Sequence, residues 1–187
     1  MDTLGSILDA ATELLSTYGV KRVTLQDVAD EAGVSRQTVY RHFGDRDGLL
    51  VAVVERQRDR FLADVVAAGD ACADVRASIR GLIAETLRLA TAHPVLSRLR
   101  SSDPELFLPL LASSSGIVRP VAVPALVDVL ARHDIAVTAD SADAVVRLLL
   151  SYVVDPTDED PADLAEALTA LVYDGLVSSA SPLRKVS

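Results

Sequence analysis

The chain has 187 residues, half of them hydrophobic but only 4% aromatic, and a net charge of −9. An aliphatic core rich in Leu and Ala favours packed helices over a sheet, and the acidic balance excludes a protein that coats nucleic acid nonspecifically, though not one with a local reading surface. No apolar run of about 18 residues is free of charge or proline, which argues against a membrane span. The opening stretch "MDTLGSILDAATELL" holds acids where an export signal needs base. With Cys72 the lone cysteine, the expectation is a cytoplasmic protein without internal disulfides.

In chain order, Leu4, Ile7, Leu8, Ala11, Leu14, Leu15 and Tyr18 share one helical face, stopped by Gly19. Thr24 reads as an N-cap with Asp27 three residues on, opening a short second helix that Gly33 ends. Ser35 caps a third, with Val34 and Val39 spaced as a hydrophobic staple, and Gly44 breaks it. Asp45 then opens a long fourth helix. Further helices are expected over 74–92, near 95–101 and 104–112, and over 117–133, where Pro120 and Pro124 predict a kink or restart. Two strong helices follow, 141–154 and 161–177, the latter started by Asp160 and Pro161. The tail after Ser178 is expected to fray. The fold class is all-α, with about nine helices. A three-helix domain over 1–47, joined by a linking helix to about residue 60, precedes a larger helical bundle over 61–187.

Two short helices joined by the small-residue turn "EAGVS" form a helix-turn-helix signature. In that motif the second helix lies in the major groove. Val39 and Phe43 would face inward, turning Arg36, Gln37 and Arg41 outward, with Thr38, Tyr40 and His42 at the edges. Arg pairs bidentately with guanine, Gln with adenine, and a Thr methyl packs on thymine. Tyr40 and His42 suit phosphates, which position a duplex without specifying its sequence. The helix starts near Thr24 and Arg46 offer backbone N–H groups to phosphate oxygens, and Lys21 and Arg22 add charge nearby. Residues 1–60 carry a net charge of −2 and the remainder −7, so the reading segment lies in the less acidic part.

The stretch "ILDAATELLSTYGVKRVTLQDVADEAGVSRQTVYRHFGDRDGLL" resembles the N-terminal DNA-binding domain of the TetR family of transcriptional regulators. The shared features are the helix ending in Tyr18-Gly19, Thr24-Leu25, Val28-Ala29, the run Ala32 to Ser35, the run Thr38 to Phe43, and Leu49-Leu50. The resemblance implies base reading by Arg36, Gln37 and Thr38, and phosphate contacts from Thr24, Tyr40 and His42. Arg46 stands where the family more often has lysine. Gly44-Asp45 replaces a more usual turn containing proline or serine, and Gly48 is unusual so early in a helix. No basic arm for the minor groove is expected before Leu4.

The resemblance further implies a homodimeric repressor that binds double-stranded operator DNA and is released by a small-molecule effector. Residues about 141–154 and 161–177 would form the dimer interface. Leu148, Leu149, Val153, Leu164, Leu168, Leu171 and Val172 are candidates for its seam. Phe107, Leu111, Leu148 and Tyr152 are the candidate lining of an apolar effector pocket, and the aliphatic, acidic character favours an apolar or weakly cationic ligand. Catalysis is not expected, since there is no H-E-x-x-H pair, phosphate-cradling loop or nucleophile elbow. Nor is a metal or cofactor. The acidic "DPTDEDPAD" lacks the glycine and closing glutamate of a calcium loop. The alternative is a helical ligand-binding or interaction module without DNA binding, against which Arg36, Gln37 and Tyr40 stand.

Overall fold

The computed structural model describes residues 3–112 and 116–179. Among them are ten α-helices and one short 3-10 turn, one helix more than the count of about nine. The Ser-rich break at 113–115 and the tail from residue 180 lie outside the described residues. No described helix is long and apolar enough to cross a membrane. The chain divides into two compact units. One comprises the residues up to Arg60 with His93–Phe107, the other Phe61–Ala92 with the residues from Leu108 onward. The segment 93–107, expected with the second domain, packs with the first unit.

In the first unit, α1 (Thr3–Tyr18) buries Ile7, Leu8, Ala11 and Leu15 of the expected face, with Leu14 half-buried, whereas Leu4 and Tyr18 at its two ends are exposed. A 3-10 turn, Val20–Arg22, leads to α2 (Leu25–Glu31), started by a capping box between Thr24 and Asp27. Gly33, at φ 68°, closes α2. The Gly33 N–H donates to the Asp30 carbonyl and the Val34 N–H to that of Ala29, the two bonds of a Schellman motif. Ser35 then caps α3 (Arg36–Phe43) by accepting from the Thr38 N–H. The paired helix α6 (Pro94–Ser102) begins with His93 Nδ1 accepting from the Leu96 N–H, so His93 is a capping residue.

Gly44 sits at φ 77°, ψ −72°, and the Asp45 N–H donates to the Phe43 carbonyl at 3.0 Å. That is a positive-φ γ-turn, a strained conformation for any residue with a side chain. It turns the chain at once into α4 (Arg46–Asp70), whose first turn is capped by Asp45 Oδ1 accepting from the Gly48 N–H at 2.8 Å.

The second unit holds α5 (Val75–Ala92), α8 (Arg119–Ala131), α9 (Ala139–Val154) and α10 (Pro161–Ser179), with α7 (Pro104–Ala112) crossing from one unit to the other. The helix α8 takes Pro120 into its first turn and runs on across Pro124, so the expected restart does not occur. Asp160 starts α10 as expected, accepting from the Ala162 N–H at 2.8 Å. The core unites Ile79, Ile83 and Leu87 of α5, Leu130 of α8, and Leu164, Leu168 and Val172 of α10. Outside it, Glu166 pairs with Arg76 and Arg80, tying α10 to α5.

Candidate functional site

The helix-turn-helix presents α3 with Val39 fully buried and Phe43 half-buried beneath it, while Arg36, Gln37, Tyr40, Arg41 and His42 point outward. Tyr40 is 61% exposed. Among the described residues, no side-chain hydrogen bond or ion pair engages Arg36, Gln37, Tyr40 or Arg41. The Thr38 hydroxyl lies 2.9 Å from that of Ser35, which fixes the rotamer. Arg41 and His42 occupy the last turn, where the charge of Arg41 complements the helix dipole.

Two predicted phosphate contacts carry structural duties. Thr24 donates its hydroxyl to Asp27 Oδ2 at 2.7 Å and its N–H to the same oxygen at 2.8 Å, while its Oγ1 accepts from the Asp27 N–H. These bonds hold the Asp27 carboxyl below its ordinary pKa of 3.8, the hydroxyl contributing most. Arg46 donates Nε–H to the Val23 carbonyl at 2.8 Å and an Nη2–H to that of Val20. The guanidinium therefore bridges both ends of the chain between α1 and α2. Any phosphate contact from Arg46 has to use its remaining N–H groups.

The same connection is held from its other side by a residue that sequence reading missed. Asp103, 1% exposed, ends α6 and accepts from the Val20 N–H at 3.2 Å. Lys21 leans onto this corner, 2.5 Å from Glu105 and 3.8 Å from Asp103. Its pKa is raised, chiefly by the bond to Glu105. No local pattern marks Asp103, because its partner lies 83 positions away in the chain.

In the second unit α4, α5, α8 and α9 enclose a cavity of about 80 Å³. Phe61 and Val65 of α4, Leu82 and Thr86 of α5, Ala122 and Leu126 of α8, and Val146, Leu149, Leu150 and Val153 of α9 form most of its wall. None of the four candidate lining residues reaches it. Phe107 is buried in the first unit and Leu111 in the second. Leu148 and Tyr152 are half-buried against the core, and Tyr152 lines a separate, smaller cleft beside Pro156 and Pro161. Of the predicted dimer seam, Leu164, Leu168 and Val172 are core, whereas Leu171 is 63% exposed.

Residues 7–53 match the family described as bacterial regulatory proteins, tetR family. Residues 74–173 match the C-terminal domain of the bacterial tetracyclin repressor. The HTH-type transcriptional regulator AlkX of Mycobacterium tuberculosis is 35% identical over 173 residues, covering 88% of this chain and 82% of that protein. Among solved structures, the TetR family repressor AlkX from Dietzia, implicated in biodegradation of n-alkanes, superposes with a TM-score of 0.76 at 25% identity, over 94% of this chain and 98% of that one. The fatty acid degradation regulator FadR from Bacillus halodurans shares the fold, with a TM-score of 0.60 at 18% identity over 94% and 97%. The chain belongs to the TetR family of bacterial helix-turn-helix transcriptional regulators, which bind operator DNA and form dimers.

Proposed function

We propose that the chain is a homodimeric repressor that occupies a palindromic operator through paired α3 helices and leaves it when a small, mainly apolar molecule enters the cavity of the second unit. The carrying observation is the row of Arg36, Gln37, Tyr40 and Arg41, outward-facing and uncommitted on a helix fixed by caps at both ends. One short helix contacts few base pairs, whereas two reach half-sites ~34–36 Å apart. Gln37 and Arg36 read bases with Thr38 and Arg41 beside them. Tyr40 and His42 grip phosphates, and Thr24 and Arg46 shape the surface that meets the backbone.

The interface between protomers is assigned to α9 and α10, with Leu171 on its exposed side. The apolar wall of the cavity supports a hydrocarbon-bearing effector, and the link of the Dietzia relative to n-alkane biodegradation supports the same class. In this reading the protein is not an enzyme, uses no cofactor or metal, and works in the cytoplasm.

The test is selection of binding sites from random duplexes at several salt concentrations, followed by titration of the selected site. An inverted repeat bound by two protomers is the expected result. A pool with no salt-sensitive preference for any inverted repeat would sink the reading.

A further inference from the structure

The turn between α2 and α3 is closed by local bonds: the Gly33 and Val34 N–H groups donate back into α2, and Ser35 caps α3. The two helices are thereby fixed to each other. Their freedom as a pair lies where the chain enters them, at residues 19–24, and where it leaves them, at Gly44 and Asp45. Arg46 ties these two points together. It begins α4 just beyond the exit, and its guanidinium donates to the Val20 and Val23 carbonyls at the entry. The N–H of Val20 is taken by a different element, since Asp103 Oδ2 at the end of α6 accepts it at 3.2 Å in a buried bond. Val20 is thus held through its carbonyl by α4 and through its N–H by α6.

Asp103 is an unfavourable residue to bury for the sake of packing alone. Its Oδ1 makes no hydrogen bond among the described residues. Lys21, 3.8 Å from that oxygen, is itself exposed and lies closer to Glu105, at 2.5 Å. A buried carboxylate paired this thinly lowers stability relative to a neutral side chain of similar size. What it supplies in return is a charged acceptor for one backbone N–H, a bond about twice as strong as a neutral one. That acceptor projects from a fixed point: the Asp103 N–H donates to the Leu99 carbonyl at 2.9 Å, and its carbonyl accepts from the Phe107 N–H at 3.1 Å.

We propose that Asp103 is a positioning residue for operator binding: with Arg46 it clamps Val20, and the clamp sets the angle at which α2 presents α3 to the major groove. This rests on α3 being the helix that reads the operator. Asp103 is buried and meets no DNA. It therefore acts on the discrimination between the operator and other sequences, and not on the phosphate contacts that every duplex offers.

The experiment compares the full wild-type chain with Asp103→Ala and Asp103→Asn for binding to the selected inverted repeat and to a random duplex, over a range of salt. Alanine removes the acceptor and leaves no buried charge behind, because Lys21 is exposed and keeps Glu105. It should lower operator affinity about tenfold, the scale of one hydrogen bond to a charged group, with random-duplex affinity and the salt slope unchanged. Asp103→Leu, which fills similar space without an acceptor, carries the same expectation. Asparagine keeps an acceptor and should restore the preference to within about twofold. Amide hydrogen exchange locates the effect: the Val20 N–H should exchange faster in the alanine and leucine variants only, with Val39 inside α3 protected in all. Asp103→Ala combined with Arg46→Ala should cost less than the product of the two separate losses, because both release the same residue. A lower melting midpoint with an unchanged preference makes Asp103 merely structural and overturns the proposal. So do an asparagine variant that behaves like alanine, and losses that multiply. A wild type without preference for any inverted repeat overturns the reading of α3 and the inference with it.

Discussion

A β-carbon on Gly48 would lie 2.1 Å from the carbonyl oxygen of Phe43. The glycine that looks misplaced in the first turn of α4 is therefore the residue that lets α3 end so close to it. The γ-turn at Gly44 folds the last carbonyl of the recognition helix onto α4, and only a residue without a side chain fits beneath it. Gly48→Ala should force the two helices apart. The expected cost is about 1–3 kcal/mol, as for other overpacked sites, seen as a lower melting midpoint. Operator affinity should fall further than stability, because the displaced element is the reading helix. An unchanged midpoint and unchanged affinity would show that the turn relaxes freely.

Arg46 offers a sharper case, because two roles predict different salt behaviour. A phosphate contact contributes about one unit to the slope of log affinity against log salt. A bridge to the carbonyls of Val20 and Val23 contributes nothing to that slope but orients α2. Arg46→Ala should lower operator affinity and thermal stability together while leaving the salt slope in place. Lysine should rescue poorly, since a single ammonium lacks the guanidinium fork that spans the two carbonyls. A slope reduced by about one unit at full stability would return Arg46 to the phosphate.

Much of the first unit was legible because its signals are local. Thr24 and Asp27, Ser35 and Gly33 each act within five residues of themselves, so spacing alone predicts the caps and turns that orient α3. The hold of Asp103 on Val20 was not legible, since nothing in "SSDPE" points to a backbone N–H so distant in the chain. The cavity wall was illegible for another reason. The helix α8, "RPVAVPALVDVLA", is apolar nearly all round, so periodicity cannot say which side faces the cavity. An apolar character alone singled out Phe107, Leu111, Leu148 and Tyr152, while the crossing of α4, α5, α8 and α9 selects other residues, mostly Val, Leu and Ala. Pro124 did not restart α8 as one of the two expected outcomes had it: the helix runs on across it, without the ladder bond that a proline nitrogen cannot make.

Acid should weaken the start of α2 in a definable window. Asp27 has a pKa below its ordinary 3.8, from the hydroxyl and then the N–H of Thr24. A carboxylate lowered in the folded state lends stability that is complete above the unfolded value and is lost as pH falls through the folded one. The capping box should therefore hold at every pH above about 4 and fail progressively below it. Glu105 and Asp143 are also lowered, by Lys21 and by Arg147 respectively, so the wild-type acid limb sums several groups. Melting curves from pH 6 to pH 2 isolate one of them by difference: Asp27→Asn should start less stable and lose less on acidification. Parallel curves for the two proteins would remove Asp27 from the account.

Leu171 separates core from interface on a single helix. Its neighbours Leu168 and Val172 are buried in the chain's own core, but Leu171 is exposed, with the small residues Ala167 and Gly175 exposed one turn to either side. A lone exposed leucine is ordinary. One flanked by small residues on a helix assigned to the interface is suited to close approach by a partner helix. Leu171→Arg should shift sedimentation from dimer to monomer at micromolar concentration without lowering helix content. A variant that stays dimeric would move the interface elsewhere.

The reading face itself divides into positions that choose a sequence and positions that only hold the duplex. Gln37 is exposed near the N-terminal end of α3 and can pair with adenine N6 and N7. Tyr40, one turn along, presents a phenol suited to a phosphate oxygen. Gln37→Ala should cost about 1–3 kcal/mol on the preferred operator and little on a site altered at the contacted base pair, so preference at that position relaxes. Tyr40→Ala should weaken all sequences by a similar factor and leave the selected consensus intact. Because the face carries no internal hydrogen bonds or ion pairs from these side chains among the described residues, both variants should melt with the wild type. Binding-site selection repeated with each variant checks the division. If Tyr40→Ala changes the consensus while Gln37→Ala does not, the two residues exchange roles and α3 must sit in the groove rotated from the orientation assigned to it.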